Sequence, residues 1–201
     1  ISGPGRQLFG VEYFEYSEFE NVEKLVSSNS NIDGILPYIE IDLPAENDKS
    51  GIAESRVQVR GADGKYTDNF DDTRNLNDEL VSINALNSDR VYINSALGEV
   101  LDLNKGDTIG IYLNLEKKEF VVADVLKNRG LAGASVTPTI LFDLKVLQKL
   151  LGKDGMITNI AISNKGDGTK SLELSDSVTK YLRSNLTNNQ VAKNFFDILN
   201  F

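Results

Sequence analysis

Residues 91–126 read VYINSALGEVLDLNKGDTIGIYLNLEKKEFVVADVL, and the change of apolar spacing along them decides the fold class. Over 91–93 the run is short and favours a strand. Asn94 then stands where it can cap a two-turn helix through Val100, with Ala96, Leu97 and Val100 on its core-facing side. Leu103 closes that helix, and Lys105, Gly106 and Asp107 turn the chain back. From Ile109 the period falls to two, through Ile111, Leu113 and Leu115, and a second strand-like run occupies 120–126. The intervening EKKE at 116–119 has the length of a loop built on a type I turn, so the two runs are expected to form a tight hairpin.

Upstream, Phe19, Val22, Leu25 and Val26 fall at helical spacing within 17–28, with Ser17 as the expected N-cap and Glu18 and Glu20 in the first turn. After a break at 29–34, Ile35, Pro37, Ile39, Ile41 and Leu43 alternate with Tyr38, Glu40 and Asp42. This is a half-buried strand whose start Pro37 places near a sheet edge. Val57 and Val59 mark its antiparallel neighbour, and the acidic stretch 62–87 is irregular, with a short helix expected around 78–86. Downstream of a Gly/Ala/Ser connection at 128–135, residues 136–142 read as a strand. Asp143 caps a helix carrying Leu144, Leu147, Leu150 and Leu151, and Gly152 ends it. A strand at 156–163 and a helix at 172–183 follow. Val191, Phe195, Ile198 and Leu199 then repeat at helical period.

The composition excludes whole classes of chemistry. There is no histidine and no cysteine, so His-based triads, HExxH zinc sites, thiol nucleophiles and disulfides are all absent. The net charge of -9 repels a phosphate backbone, and Lys117 and Lys118 are flanked by Glu116 and Glu119; no nucleic-acid partner is expected. Asp68, Asp71 and Asp72 do not meet the calcium-loop spacing. The run NKGDGTKS departs from the phosphate-loop order, because Thr169 separates Gly168 from Lys170. Neither a metal nor a cofactor is therefore expected in this domain. No apolar run of about 18 residues is present, and the chain opens without a signal-peptide pattern, which is read as a fragment of a longer protein. The segment 128–138 surrounds Arg129 and Leu131 with small residues and is the expected partner-contacting tip.

The run VYINSALGEVLDLNKGDTIGIYL followed by EFVVADVL is similar to a segment of MacB/FtsX-like ABC transporter permeases. IDGILPYIEI at 32–41, VQVRGAD at 57–63, TPTILFDLKVLQKLLG at 137–152 and ITNIAI at 157–162 resemble that family's other strands and helix in the same order. The resemblance covers most of the chain and is weakest over 67–89. It implies an α+β fold of mixed sheet and helices: a porter-like subdomain built from the two chain ends and an inserted smaller β-rich subdomain carrying the hairpin, which the reading of the chain places at 71–130, between 1–70 and 131–201. It also implies an extracytoplasmic, non-catalytic domain between two transmembrane helices of a permease. The implied partners are those helices, a second permease copy or paralogue, a cytoplasmic ABC ATPase acting indirectly, and a cargo or extracytoplasmic protein. Two other readings stay open: a free-standing secreted or surface module for a protein or glycan, and a carboxylate hydrolase. The first requires nothing of the chain ends, the transporter reading requires both at one pole, and the hydrolase needs a carboxyl group of raised pKa.

Overall fold

The structure, a computed structural model, describes residues 12–70, 72–133, 136–166, 169–185 and 196–198. In chain order the elements are β1 (Phe14–Glu15), α1 (Tyr16–Val26), β2 (Ile32–Asn47), β3 (Ile52–Ala62), β4 (Arg90–Asn94), α2 (Ser95–Leu101) and β5 (Thr108–Leu113). They continue with β6 (Glu116–Leu126), β7 (Thr139–Asp143), α3 (Leu144–Leu151), β8 (Met156–Ile157), β9 (Asn159–Asn164), α4 (Thr169–Asn185) and β10 (Phe196–Ile198). Helices and a mixed sheet together make the fold α+β, as the sequence implied.

The large sheet runs β10-β9-β2-β3-β7-β4-β6-β5, and β5 returns to pair with β2 through Ala45↔Ile111 and Glu46↔Gly110. Six strands, β2-β3-β7-β4-β6-β5, thus close into a barrel, and β9 and β10 extend from the first half of β2. The strand β2 serves both parts because it is long and bent. A register shift between Leu43 and Ala45 sets Ser55 and Arg56 opposite Pro44, and such bulges turn a strand sharply. The segment 71–130 supplies β4, β5 and β6, which pair with β7 and β2 from the flanking segments.

Period-two alternation fills the barrel. Ile41, Leu43, Val57, Val59, Val91, Ile93, Ile109, Ile111, Val122 and Ile140 all point inward and are buried. Phe120 meets Phe142 edge-on at 5.0 Å. Each such side chain contributes about 1.5–3 kcal/mol relative to exposure. Leu97 and Leu101 of α2 join this core, and α2 packs against β3, β4, β6 and β7. On the outer face, Leu36, Tyr38, Ala62, Tyr92, Leu126 and Leu141 are covered by Phe70, Ile83 and Leu86 of the 63–90 segment. The first half of β2 is therefore buried on both faces, whereas its second half alternates.

Several local expectations hold and others are corrected. Asn94 and Asp143 cap α2 and α3, accepting from the backbone N–H of Leu97 and Val146, and Gly152 ends α3 at φ +63°. Ser17 does not cap α1: the N-cap is Glu15, two residues earlier, with no side-chain cap bond, and the Tyr16 N–H donates to Gly155 O at 2.8 Å. Pro37 is mid-strand. It sits where pairing passes from β9 (residues 32–38) to β3, whose ladder begins at Tyr38, so its missing N–H breaks no rung to β3. EKKE is strand, not loop. Leu113 pairs with Glu116, leaving Asn114 (φ +51°) and Leu115 (φ +70°) as a two-residue turn. The double positive φ matches strand twist, as type I′ turns do. The expected helix at 78–86 shrinks to one 3-10 turn, Ile83–Ala85. At the C-terminal end Phe196–Ile198 is a strand parallel to β9, so the helical period around Ile198 is overridden by sheet pairing; residues 191, 195 and 199 lie outside the described residues.

Strand directions define two sides. β10 is parallel to β9, and β1 is antiparallel to β8, which leads into β9 through Thr158. β1 thus runs opposite to β9 and β10 runs with it, so Phe14 at the start of β1 and Ile198 at the end of β10 both face the side where β9 ends and β2 begins. Passing the directions through the pairings, β3, β5 and β7 also point to this side, while β2, β4 and β6 point away. Ile1 and Phe201 themselves lie outside the described residues.

Candidate functional site

The rim opposite the chain ends gathers the ends of β2, β4 and β6, the starts of β3, β5 and β7, and the loops between them. Two buried asparagines hold it. Asn94 uses its whole side chain: Oδ1 accepts from Leu97 N and Thr139 N, both at 3.0 Å, and Nδ2 donates to Ala132 O at 3.0 Å and Thr137 O at 2.7 Å. Helix α2, strand β7 and the 132–137 loop are thereby tied at one point. Asn47 donates through Nδ2 to Leu101 O and Asp102 O, both at 2.9 Å, satisfying carbonyls that the end of α2 leaves open.

A third asparagine builds the loop beside β6. Asn75 is 2% exposed; its Oδ1 accepts from Asn77 N and Glu79 N at 3.0 Å, and its Nδ2 donates to Glu79 Oε2 at 2.8 Å and Asp124 Oδ2 at 3.3 Å. The loop is stitched to β6 by Leu76 N donating to Val125 O and Lys127 N donating to Arg74 O. Ion pairs border it: Lys105–Asp124 at 2.8 Å, Arg74–Asp72 at 2.9 Å and Lys127–Asp78 at 2.5 Å.

Of the six large apolar side chains that stand exposed among the described residues, five lie on this rim: Ile52, Leu76, Leu80, Val100 and Val136. The sixth, Leu115, is 96% exposed at the hairpin tip on the chain-end side. Among the described residues, exposed large apolar side chains thus stand mainly at this one end of the barrel. The two residues singled out from sequence fall in the same neighbourhood. Arg129 donates through Nη2 to Asp72 O at 3.2 Å, joining the 127–133 and 72–81 loops. Leu131 does not project from a tip: it is 5% exposed, packs beside Leu36, Ala62 and Leu141, and its carbonyl accepts from Arg60 Nη1 at 3.2 Å. The exposed apolar side chain of that connection is Val136. Leu76 and Leu80 went unnoticed because a lone leucine in an acidic loop has no periodicity to betray which way it faces.

Three carboxyls are held below their usual range by their partners. Burial pushes Asp124 up, but hydrogen bonds from Lys105, Asn75 and the Val125 N–H outweigh it and hold the carboxyl below its usual range. The hydrogen bond from Lys127 lowers Asp78, and that from Lys117 lowers Asp48. Among the described residues no group of three or more metal-binding side chains converges; Asp71 lies outside them. On the chain-end side an open cleft of about 340 Å³ runs between α1 and the 65–69 turn, bordered by Glu23, Asp33, Asp68 and Lys65.

No helix among the described residues is long and apolar enough to cross a membrane. No protein-family model and no curated protein matches the chain. Solved structures do. The extracellular domain of the noncanonic ABC-type transporter YknZ from Gram-positive bacteria superposes with a TM-score of 0.54 at 10% identity, over 86% of this chain and 82% of that one. The periplasmic region of MacB from Actinobacillus actinomycetemcomitans superposes with a TM-score of 0.52 at 16% identity, over 91% of this chain and 79% of that one. The closed barrel, the flanking helices and their order thus give this chain the fold of the extracytoplasmic domains of MacB- and YknZ-type ABC transporters.

Proposed function

We propose that the chain is a non-catalytic, extracytoplasmic domain of a MacB/FtsX-like ABC transporter permease that relays ATP-driven motion to a cargo or partner outside the membrane. The observation that carries this reading is polarity: both described chain ends face one side, and five of six exposed large apolar side chains stand on the rim opposite. A domain inserted between two membrane helices needs its ends together, and one that passes on a movement needs a contact surface at the far side. The barrel between them, closed and filled, is a stiff body fit to transmit a displacement. The ATPase and the second permease copy would act through the membrane helices and not through this domain.

These 201 residues contain no cysteine, so the test uses a full-length protein in which every cysteine outside them is replaced by serine. In intact cells of the source organism making the full-length protein with Val136→Cys, a membrane-impermeant maleimide is expected to label a polypeptide that sediments with membranes. A product labelled only after lysis contradicts the reading, and a product found wholly in the medium supports the free-standing binding module instead.

A further inference from the structure

We propose that the barrel is a latched, openable body: the β5–β6 hairpin separates from β2 along one seam, and Lys117 is the latch that holds the seam shut. The proposal goes beyond the permease reading and does not depend on it.

The seam is the thinnest line of the barrel wall. Among the described residues β5 meets β2 through Ala45↔Ile111 and Glu46↔Gly110 alone, whereas six residue pairs join β5 to β6 and five join β6 to β4. A hairpin that leaves β2 therefore keeps its own ladder and its anchorage on β4. Openings short of global unfolding follow the line along which fewest interactions break.

A side chain bridges that line on the outer face. Ile109, Ile111 and Leu113 point into the core, so Gly110 and Tyr112 face outward, with Lys117 of β6 directly opposite Tyr112. Lys117 does not turn to solvent. It passes over Gly110 across the width of β5, and its Nζ reaches Glu46 Oε1 of β2 at 2.7 Å and Asp48 Oδ2, just beyond β2, at 2.5 Å. Only glycine leaves this route open, since a Cβ at position 110 would overlap Lys117 Cε. The two carboxylates hold the ammonium charged, and a hydrogen bond between Tyr112 and Glu46 adds a link from β5 itself.

Magnitudes separate this bridge from an incidental surface pair. The Lys117 and Glu46 side chains are only 26% and 23% exposed, so solvent and salt screen them incompletely. Lys49 and Asp107 also face each other near the seam, but they stand 3.6 Å apart with the lysine 83% exposed, which leaves that pair too screened to act as a second latch. Because Lys117 joins β6 to β2, two strands that do not pair, it supports neither strand's own ladder; what it opposes is departure of the hairpin from β2. Latched, the barrel carries a displacement as one body. Unlatched, the hairpin and β2 move apart and the edges of β2 and β5 are freed.

The test uses the purified full-length protein, with every cysteine outside these residues replaced by serine, carrying Ala45→Cys at the seam or Ala161→Cys in β9. Both alanines are buried, so the rate at which a soluble aromatic disulfide labels each thiol reports how often that site opens. The thiol at 45 is expected to react at least about tenfold faster than the one at 161. Lys117→Met and Gly110→Ala are each expected to speed labelling at 45 by about three- to tenfold and to leave 161 unchanged. Combined, they are expected to do no more than either alone, because both remove the same bridge. Equal rates at 45 and 161 overturn the proposal by showing that the seam opens only with the whole fold. Acceleration at both sites, no acceleration at 45, or effects of the two substitutions that add in full overturn the assignment of Lys117 as the latch.

Discussion

Leu115 sits in the left-handed region with its side chain almost wholly in solvent, where it meets the steric cost of that conformation and recovers nothing by burial. Leu115→Gly is expected to raise stability by about 1 kcal/mol, read as a shift of the urea midpoint at constant slope; a loss of stability would show that Leu115 packs in some way the structure does not show. Asp124 permits a second prediction. Its carboxyl is held below its unfolded value, so the stabilisation it provides is complete above the ordinary aspartate pKa and is lost as pH falls through the lower, folded value. The stability gap between the parent and Asp124→Asn is therefore expected to be full at neutral pH and to narrow below about pH 4, as followed by urea denaturation at stepped pH. A gap constant with pH would contradict the assignment. At this scale the caps were readable, because Asn94 and Asp143 each precede an apolar helical period. The roles of Asn47 and Asn75 were not, since Asn47's carbonyl partners and the Asp124 carboxylate to which Asn75 donates lie dozens of residues away, and a buried asparagine has the same letter as a solvated one.

Among the elements, β3 and α3 meet at a contact only glycine permits. A Cβ at Gly61 would lie 2.8–2.9 Å from Leu147 side-chain atoms, and the α3 backbone is close behind at Leu144. Gly61→Val is expected to destabilise by roughly 1–3 kcal/mol by pushing α3 off the sheet, with the change seen in chemical denaturation and in faster hydrogen exchange along α3. Unchanged stability would mean that α3 is held elsewhere. The alternation in 57–61 showed a strand; nothing in it showed that a helix crosses at Gly61. Likewise the hairpin was evident from the runs 109–113 and 120–126, but its turn was misplaced. Asn-Leu lacks the glycine that announces a two-residue loop, and the charged EKKE resembles a loop while serving as the outer strand of a barrel. The C-terminal period failed for a related reason: an open strand edge on β9 captures Phe196–Ile198 whatever their helical spacing.

For the whole molecule, the α+β class and the order of elements could be read from the spacing of apolar residues and from the resemblance of 91–126. Barrel closure could not, because it depends on two residue pairs between β2 and β5 that no local pattern announces. The polarity of the domain is read on that closed topology, with Phe14 and Ile198 facing one side and five of the six exposed large apolar residues among those described on the other. It is tested most directly by depth measurement in the reconstituted full-length protein. A fluorophore is attached to Lys165→Cys, beside the end of β9, or to Val136→Cys, on the opposite rim, and quenched by headgroup-labelled lipid. The expected result is strong quenching at 165 and little or none at 136. Equal quenching at the two positions, or the reverse order, would contradict the proposal that the domain is held at the membrane by its ends and offers its far rim to a partner.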